Sequence, residues 1–268
     1  MTPSFFRDAF PRLEATFAAT LDASPAPRDP SMLLATVRSL DLPPDSVAVD
    51  VGCGDGAHAF RLAAHFGLQV IGIDPVQRHL DVAREARRSQ PDAVASRVSF
   101  ERGTADRIPL RDASVDLVWC RDTLPHVPSL ASAHREFARV LRPGGWALVH
   151  QVFATDLLAP DEADWLFPVL GIVPASVDLD TAEGAITHSG LVVDASVDLG
   201  SEWEEHEEEA SGRASRALLH VARLQRDPER FRAAFGDAAY DVMLGECLWR
   251  VYLMLGKLNS RVYLLRRP

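Results

Sequence analysis

The sequence predicts an α/β fold built on a parallel β-sheet, with a helical addition near its C-terminal end. Short apolar runs alternate with helical segments from about Ser46 onward. A glycine-rich turn, "VGCGDG", separates the first apolar run from the first of these helices. About 60 residues, 201–259, have helical character and no strand pattern. Because strands that alternate with helices pair in parallel through right-handed crossovers, these features indicate a layered α/β protein.

Length and charge limit the classes of function. The 268 residues suffice for one large domain or two small ones. With a net charge of −10, the protein is poorly suited to neutralise the phosphates of a nucleic acid, so we expect no nucleic-acid partner. The N-terminus lacks the basic start of a secretion signal, and no apolar run reaches the roughly 18 residues of a membrane span. We therefore expect a soluble protein without a membrane partner.

The cysteines indicate the compartment. Cys53, Cys120 and Cys247 are odd in number and far apart, which argues against a disulfide scaffold and against a structural zinc site. We expect no bound metal and a reducing, cytoplasmic location.

An N-terminal helical segment, residues 1–45, precedes the sheet. Phe6, Phe10, Leu13 and Phe17 share one face of a helix predicted over about Ser4 to Leu21. Three prolines between Asp22 and Ser31 break this helix, and a short helix is predicted from Met32 to Leu40.

The core, residues 46–200, holds six predicted strands. The first five are "SVAVDVG", "LQVIGID", "RVSFERG", "VDLVWC" and "WALVHQVF". A helix from Leu130 to Leu141 and the turn "RPGG" precede the fifth strand. A further helix, with Asp180 predicted as its N-terminal cap, leads to the sixth strand, "LVVDASVDLG". Residues 201–259 are predicted as a helical cap insertion and residues 260–268 as the last core strand.

The glycine turn lies where an α/β sheet binds its ligand, beyond the carboxyl ends of the strands. Gly52 and Gly54 let the backbone turn without a Cβ in the way. Asp74 ends the next strand, 22 residues after Gly52, where a carboxylate can accept hydrogen bonds from ribose hydroxyls. These features predict a nucleoside cofactor.

The spacing separates two cofactor chemistries. Dinucleotide sites follow G-x-G-x-x-G, whereas this turn has G-x-G-x-G, with Ala57 at the place of the third glycine. Asp50 would repel a pyrophosphate but suits the amino group and sulfonium of S-adenosylmethionine. A nicotinamide oxidoreductase is disfavoured on both counts.

Four segments resemble the class I S-adenosylmethionine-dependent methyltransferases, in the subgroup that acts on small molecules. They are "VDVGCGDG", "VIGID", "RGTADRIPLRDASVDLVWC" and "REFARVLRPGGWALV". The resemblance covers about Ser46 to Val152 closely and implies a Rossmann-like, seven-stranded, mostly parallel sheet with a reversed last strand and helices on both faces. S-adenosylmethionine would be the cofactor, S-adenosylhomocysteine the product, and a small molecule the acceptor.

The resemblance also implies site residues. The turn at Gly52, Cys53 and Gly54 would contact the cofactor, and the loop at Thr104, Ala105 and Asp106 would lie beside its adenine. Family members often have Asp where Thr104 stands, so either the Thr104 hydroxyl or Asp106 would meet the adenine amino group.

The segment "CRDTLPHV", which follows the fourth strand, supplies the candidate catalytic residues. Arg121 could brace the cofactor, or it could merely pair with Asp122. His126 is the candidate general base, since its ordinary pKa of about 6.5 suits proton removal near neutrality, although it could instead only hold the loop. The segment is similar to one in phosphobase methyltransferases, but no tyrosine precedes Tyr240 to match their N-terminal tyrosine.

Alternatives remain open at this point. The chain could retain S-adenosylmethionine as a structural element while it catalyses a non-methylating step such as cyclisation, or it could be a non-catalytic cofactor-binding protein. The acidic run "SEWEEHEEEA" is either a solvated helix face or a surface that attracts a cationic substrate, with Trp203 stacked on the cation.

Overall fold

The computed structural model describes the backbone from Phe10 to Pro268, without the side chains of residues 10–13 and 15. Two helices precede the sheet, α1 (Phe10–Asp22) and α2 (Ser31–Ser39). The start of the predicted first helix and the side chains of Phe6, Phe10 and Leu13 lie outside the described residues. Phe17, the fourth member of the predicted face, is exposed.

Seven strands form one sheet, as predicted. The strand order is β3-β2-β1-β4-β5-β7-β6, and the last strand runs antiparallel to both β5 and β6 while the other pairs are parallel. The reversed last strand therefore lies between the fifth and sixth strands. The strands are β1 (Val47–Val51), β2 (Gln69–Asp74), β3 (Val98–Arg102), β4 (Val115–Arg121), β5 (Leu141–Ala154), β6 (Val192–Gly200) and β7 (Leu258–Arg266).

Helices cover both faces of the sheet, so strand side chains of either parity are buried and the central strands are mostly apolar. Phe137 and Ile186 pack on one face with Val49 and Val51, and Ala48 belongs to the cluster on the other face. The helices of the core are α3 (Ala57–Phe66), α4 (Gln77–Arg88), α5 (Asp92–Ala95), α6 (Leu130–Val140), α7 (Pro160–Leu170) and α8 (Leu179–Thr187), with 3₁₀ turns at Leu124–His126 and Pro174–Ser176.

Two local predictions were wrong. The cap of α8 is Asp178, whose side chain accepts a hydrogen bond from the Thr181 N–H, because Asp178 is the residue with extended backbone angles. The "RPGG" segment does not precede β5 but lies inside it. Pairing with β4 jumps from Val115↔Leu141 to Leu117↔Trp146, so these residues form a bulge.

Four helices connect β6 to β7, namely α9 (Glu202–Ser211), α10 (Arg213–Arg226), α11 (Pro228–Phe235) and α12 (Asp237–Met254). Val221 of α10 packs against Tyr240 and Leu244 of α12. The Arg28 side chain before α2 pairs with Glu202, which ties the N-terminal segment to α9. Within Phe10–Pro268 no helix is both long enough and apolar enough to cross a membrane.

The turn after β1 brings three strand ends together. The N–H groups of Gly52 and Cys53 donate to the Ile73 carbonyl of β2 at 2.8 and 3.0 Å. Gly52 has a φ of +73°, and a Cβ built there would lie 2.0 Å from Oγ1 of Thr123, which itself donates to the Val51 carbonyl. Gly52 is therefore required both by its backbone angle and by the close approach of the segment that follows β4.

Gly52→Ala should lower the free energy of unfolding by about 3 kcal/mol, because a left-handed backbone angle and a steric clash act together. Gly54→Ala is the matched control. Its φ is also positive, at +53°, but a Cβ there meets nothing within 4 Å, so a loss of only about 1 kcal/mol is expected. Urea denaturation measures both values. Equal losses would show that the contact with Thr123 does not constrain the turn.

Candidate active site

A cavity of about 580 Å³ opens beside the glycine turn. Its wall is built from the ends of β1 and β2, the loop after β3 and the 3₁₀ turn after β4, as expected for the carboxyl edge of a parallel sheet. The structure brings together seven of the ten residues predicted for the site: Gly52, Gly54, Asp74, Thr104, Ala105, Asp106 and His126. Asp50, Cys53 and Arg121 are not on this wall.

The Asp74 carboxylate holds the turn in place. Its Oδ2 accepts a hydrogen bond from the Gly54 N–H at 3.0 Å, and its Oδ1 accepts one from the Val76 N–H at 2.8 Å. Nδ1 of His79 lies 3.2 Å from Oδ1. A carboxylate has about four acceptor positions, so these contacts leave Asp74 limited capacity toward a ligand in the cavity.

Asp50 lies at the carboxyl end of β1 and is 2% exposed. Burial raises the pKa of Asp50 to about 7, and the nearby carboxylates of Asp74 and Asp55 act in the same direction. Its Oδ2 has no hydrogen-bond partner among the described residues. A buried carboxylate oxygen without a partner is costly unless a ligand supplies the missing donor or positive charge.

Cys53 and Cys120 are buried in the apolar core. Burial raises the pKa of both thiols well above the usual range. Neither side chain is suited to act as a nucleophile, and any contact of Cys53 with a ligand would come from its backbone.

His126 ends the 3₁₀ turn after β4, and its side chain is exposed on the cavity wall. Its Nδ1 lies 3.1 Å from the Gly171 carbonyl oxygen. Because a carbonyl can only accept, Nδ1 carries the proton and the neutral ring keeps its lone pair on Nε2. The ring is thus oriented and retains one basic nitrogen.

Arg121, at the end of β4, points to a second cavity instead. Its Nε donates to Oδ2 of Asp122 at 3.1 Å, which realises the predicted pairing of these two residues. Its Nη1 lies 3.2 Å from Nε2 of His58. Burial, followed by the charge of Arg121, lowers the pKa of His58 to about 4, so this imidazole accepts the hydrogen bond in its neutral form.

Asp122 lies on the walls of both cavities. Its φ of +57° is in the left-handed region, which is uncommon for a residue with a side chain and recurs at functional sites. Nδ1 of the buried His150 lies 2.8 Å from its Oδ1. Partial desolvation acts to raise the pKa of Asp122, but its contacts with Nδ1 of His150 and with the Arg121 guanidinium outweigh that effect and hold the pKa well below the usual range.

The sequence analysis missed His150 as a site residue and misjudged the partner of Trp203. The two rings stack with centroids 4.3 Å apart, and the Arg121 guanidinium lies 5.3 Å from the Trp203 ring. The Arg121 guanidinium therefore lies against Trp203, where a cationic substrate was predicted to stack. The acidic run is not merely a solvated face either, since Glu204 and Glu207 line the second cavity. The polar pair His150 and Gln151 inside the otherwise apolar strand "WALVHQVF" was the signal available for His150.

Comparisons with known proteins agree with this geometry. Residues 49–149 match the family model described as a methyltransferase domain. The chain is 32% identical over 193 residues to 27-O-demethylrifamycin SV methyltransferase of Amycolatopsis mediterranei, which covers 69% of this chain and 70% of that one. It is 40% identical over 106 residues to methyltransferase GfsG of Streptomyces halstedii, across 40% of this chain and 37% of that one.

A solved structure confirms the fold. The crystal structure of the [4+2]-cyclase SpnF superimposes with a TM-score of 0.68 over 88% of this chain and 80% of that chain, at 21% identity. A likeness at this identity shows the architecture alone. The curated relative matched over more than two thirds of both sequences goes further. Together with the domain match, it shows that this chain is an enzyme of the class I S-adenosylmethionine-dependent methyltransferase family.

Proposed function

We propose that the protein transfers a methyl group from S-adenosylmethionine to an oxygen or nitrogen atom of a small molecule. The observation that carries the proposal is the cavity at the glycine turn, with open space in front of Gly54 and an unpartnered oxygen on buried Asp50. The name of the relative from Amycolatopsis mediterranei supports it, since that enzyme methylates 27-O-demethylrifamycin SV.

The residues at the cavity fit this cofactor. Gly54 lies on the cavity wall, and a Cβ there would meet no protein atom within 4 Å. Asp50 lies two residues before Gly52 and outside the cavity wall; its buried oxygen lacks a partner, and in our proposal a cationic group of the cofactor supplies one. In our proposal the backbone at Gly52, Cys53 and Gly54 contacts the cofactor. Asp74 accepts from the ribose hydroxyls, and Thr104, Ala105 and Asp106 flank the adenine.

The bound cofactor supplies a methyl group activated by a sulfonium leaving group. The chain's own task is to align the acceptor atom for in-line displacement and to remove its proton. His126 is the proposed general base, because it lies on the cavity wall with Nδ1 fixed by the Gly171 carbonyl and Nε2 free to accept a proton.

We also propose that the chain is divided into three structural parts. Residues 1–45 would form an N-terminal helical segment, residues 46–200 and 260–268 the cofactor-binding core, and residues 201–259 a cap that closes over the acceptor. The net charge of −10 supports an acceptor other than nucleic acid. The three free, buried cysteines support a cytoplasmic location.

His126→Ala should lower kcat by about 100-fold while the affinity for S-adenosylmethionine changes less than about twofold, because general-base catalysis contributes at least about two orders of magnitude. His188→Ala is the control, since His188 is also exposed and its Nδ1 also lies near a backbone carbonyl oxygen, that of Gly184. Steady-state kinetics and calorimetry measure the two effects. If kcat and cofactor affinity fall by the same factor, His126 has a structural role.

Binding of S-adenosylmethionine should release more protons at pH 6 than at pH 9. The pKa of Asp50 is about 7 in the protein alone, so this carboxyl is largely protonated at pH 6. A cationic ligand favours the ionised form, lowers the pKa and expels the proton, whereas at pH 9 Asp50 is already ionised. Binding heats in two buffers of different ionisation enthalpy count the protons released.

Asp50→Asn should abolish this proton release and weaken binding. Asp81→Asn, which changes an exposed carboxylate on α4, should leave both unchanged. Unaltered proton release in the Asp50 variant would remove this carboxylate from the cofactor site.

One molecule of S-adenosylhomocysteine should accumulate for each molecule of product. This stoichiometry separates methyl transfer from the alternative in which the cofactor is a fixed structural element and the step is a cyclisation. Chromatographic quantification of both compounds over one time course provides the test. Product without S-adenosylhomocysteine would establish the alternative.

A further inference from the structure

A second cavity of about 240 Å³, which we call the polar chamber, lies between the ends of β4 and β5 and the helices α9 and α12. Asp122 lies on its wall and also on the wall of the cofactor cavity. A molecule in the chamber would therefore sit next to the proposed cofactor. This position makes the chamber the natural place for the methyl acceptor.

Some of the charges on the chamber wall are already neutralised by neighbours. Arg121 is paired with Asp122, and Nη1 of Arg213 lies 3.2 Å from Oε2 of Glu207. These two guanidinium groups and two carboxylates leave little net charge toward a ligand. The recognition chemistry must come from the remaining polar groups.

The charged wall residues left over are Glu204 and Arg250, which are half-buried, and Glu246, which is exposed. Oε2 of Glu204 is buried without a hydrogen-bond partner, and Arg250 forms no ion pair or hydrogen bond with any residue that the structure describes. Burial raises the pKa of Glu204, and the charge of Arg250 opposes that effect without forming an ion pair. The chamber thus offers a guanidinium donor and, apart from it, a carboxyl group that lacks a partner.

Two deeply buried side chains on the wall also lack partners. Nε1 of Trp203, which is 7% exposed, and Nε2 of His150, which is 3% exposed, have no hydrogen-bond partner among the described residues. Buried polar atoms are almost always paired in folded proteins. Several unpaired atoms around one cavity indicate a site built for a polar occupant.

The dimensions limit the size of that occupant. A volume of about 240 Å³ is below the roughly 300–1,000 Å³ of cavities that hold drug-sized ligands. Trp249 contributes an aromatic side chain to the wall, whereas the Trp203 ring is already stacked on His150. A single planar ring with polar substituents matches the volume and could pack against Trp249.

We propose that the polar chamber binds the methyl acceptor as a small aromatic acid that carries a hydroxyl or amino group, an inference that rests on the proposed function. The carboxylate of the acceptor pairs with Arg250, and its hydroxyl or amino group lies toward Glu204 and Asp122, on the side of the cofactor cavity. During transfer the acceptor oxygen or nitrogen gains the methyl carbon and loses a proton to a base of the chain. The electron pair of the broken carbon–sulfur bond stays on sulfur.

Calorimetric titration of the protein saturated with S-adenosylhomocysteine tests this assignment without turnover. The probes are protocatechuate and anthranilate, which carry the carboxylate, and catechol and aniline, which lack it. At least one acid should bind about tenfold more tightly than its counterpart, because a guanidinium–carboxylate pair is a strong, charge-assisted contact.

Arg250→Gln should remove the preference for the acids, whereas Arg216→Gln, on the exposed face of α10, should retain it. Glu204→Gln should weaken protocatechuate or anthranilate binding by several-fold and leave unsubstituted benzoate unchanged. Binding of S-adenosylhomocysteine and the circular dichroism spectrum verify that each variant is folded.

Equal affinity for acids and their counterparts, or a preference that survives Arg250→Gln, would overturn the assignment. Absence of heat from every probe, with normal heat from S-adenosylhomocysteine, would overturn the assignment of the acceptor but not the proposed function. Absence of heat from S-adenosylhomocysteine itself would overturn the proposed function, and with it this inference.

Discussion

The turn after β1 is the constraint on which the site depends. The chain must leave the sheet between Val51 and Gly56, where Thr123 fills the space beside Gly52 and Asp74 binds the Gly54 N–H. At Gly52, only a residue without a Cβ fits beside Thr123. The same contacts join the ends of β1, β2 and β4, so the walls of both cavities are fixed relative to the turn.

Asp122 connects the two cavities. Its backbone angle is left-handed, which is unfavourable by about 1 kcal/mol or more. Its N–H donates to the His150 carbonyl at 3.3 Å, and Arg121 and His150 contact its carboxylate. Several neighbours together hold a conformation that the residue alone would not favour. The carboxylate is thereby kept ionised at the boundary between the proposed cofactor and acceptor sites.

Much of this architecture could be predicted because it depends on local sequence patterns. Apolar runs predicted all seven strands, and seven of the ten residues predicted for the site lie on one cavity wall. Asp178 and Asp180 differ only in backbone angles, which the pattern does not encode. His150 could not be assigned, because its partners Asp122 and Trp203 come from distant segments. The position of Arg121 likewise depends on packing between β4 and α9.

The central claim is that the cavity at the glycine turn holds S-adenosylmethionine with its methyl group directed toward the polar chamber. A crystal structure with S-adenosylhomocysteine bound tests it most directly. The account predicts ribose hydroxyls at Asp74, adenine beside Thr104–Asp106 and sulfur nearest Asp122. Cofactor density elsewhere on the chain, or in this cavity with its sulfur facing away from Asp122, would contradict it.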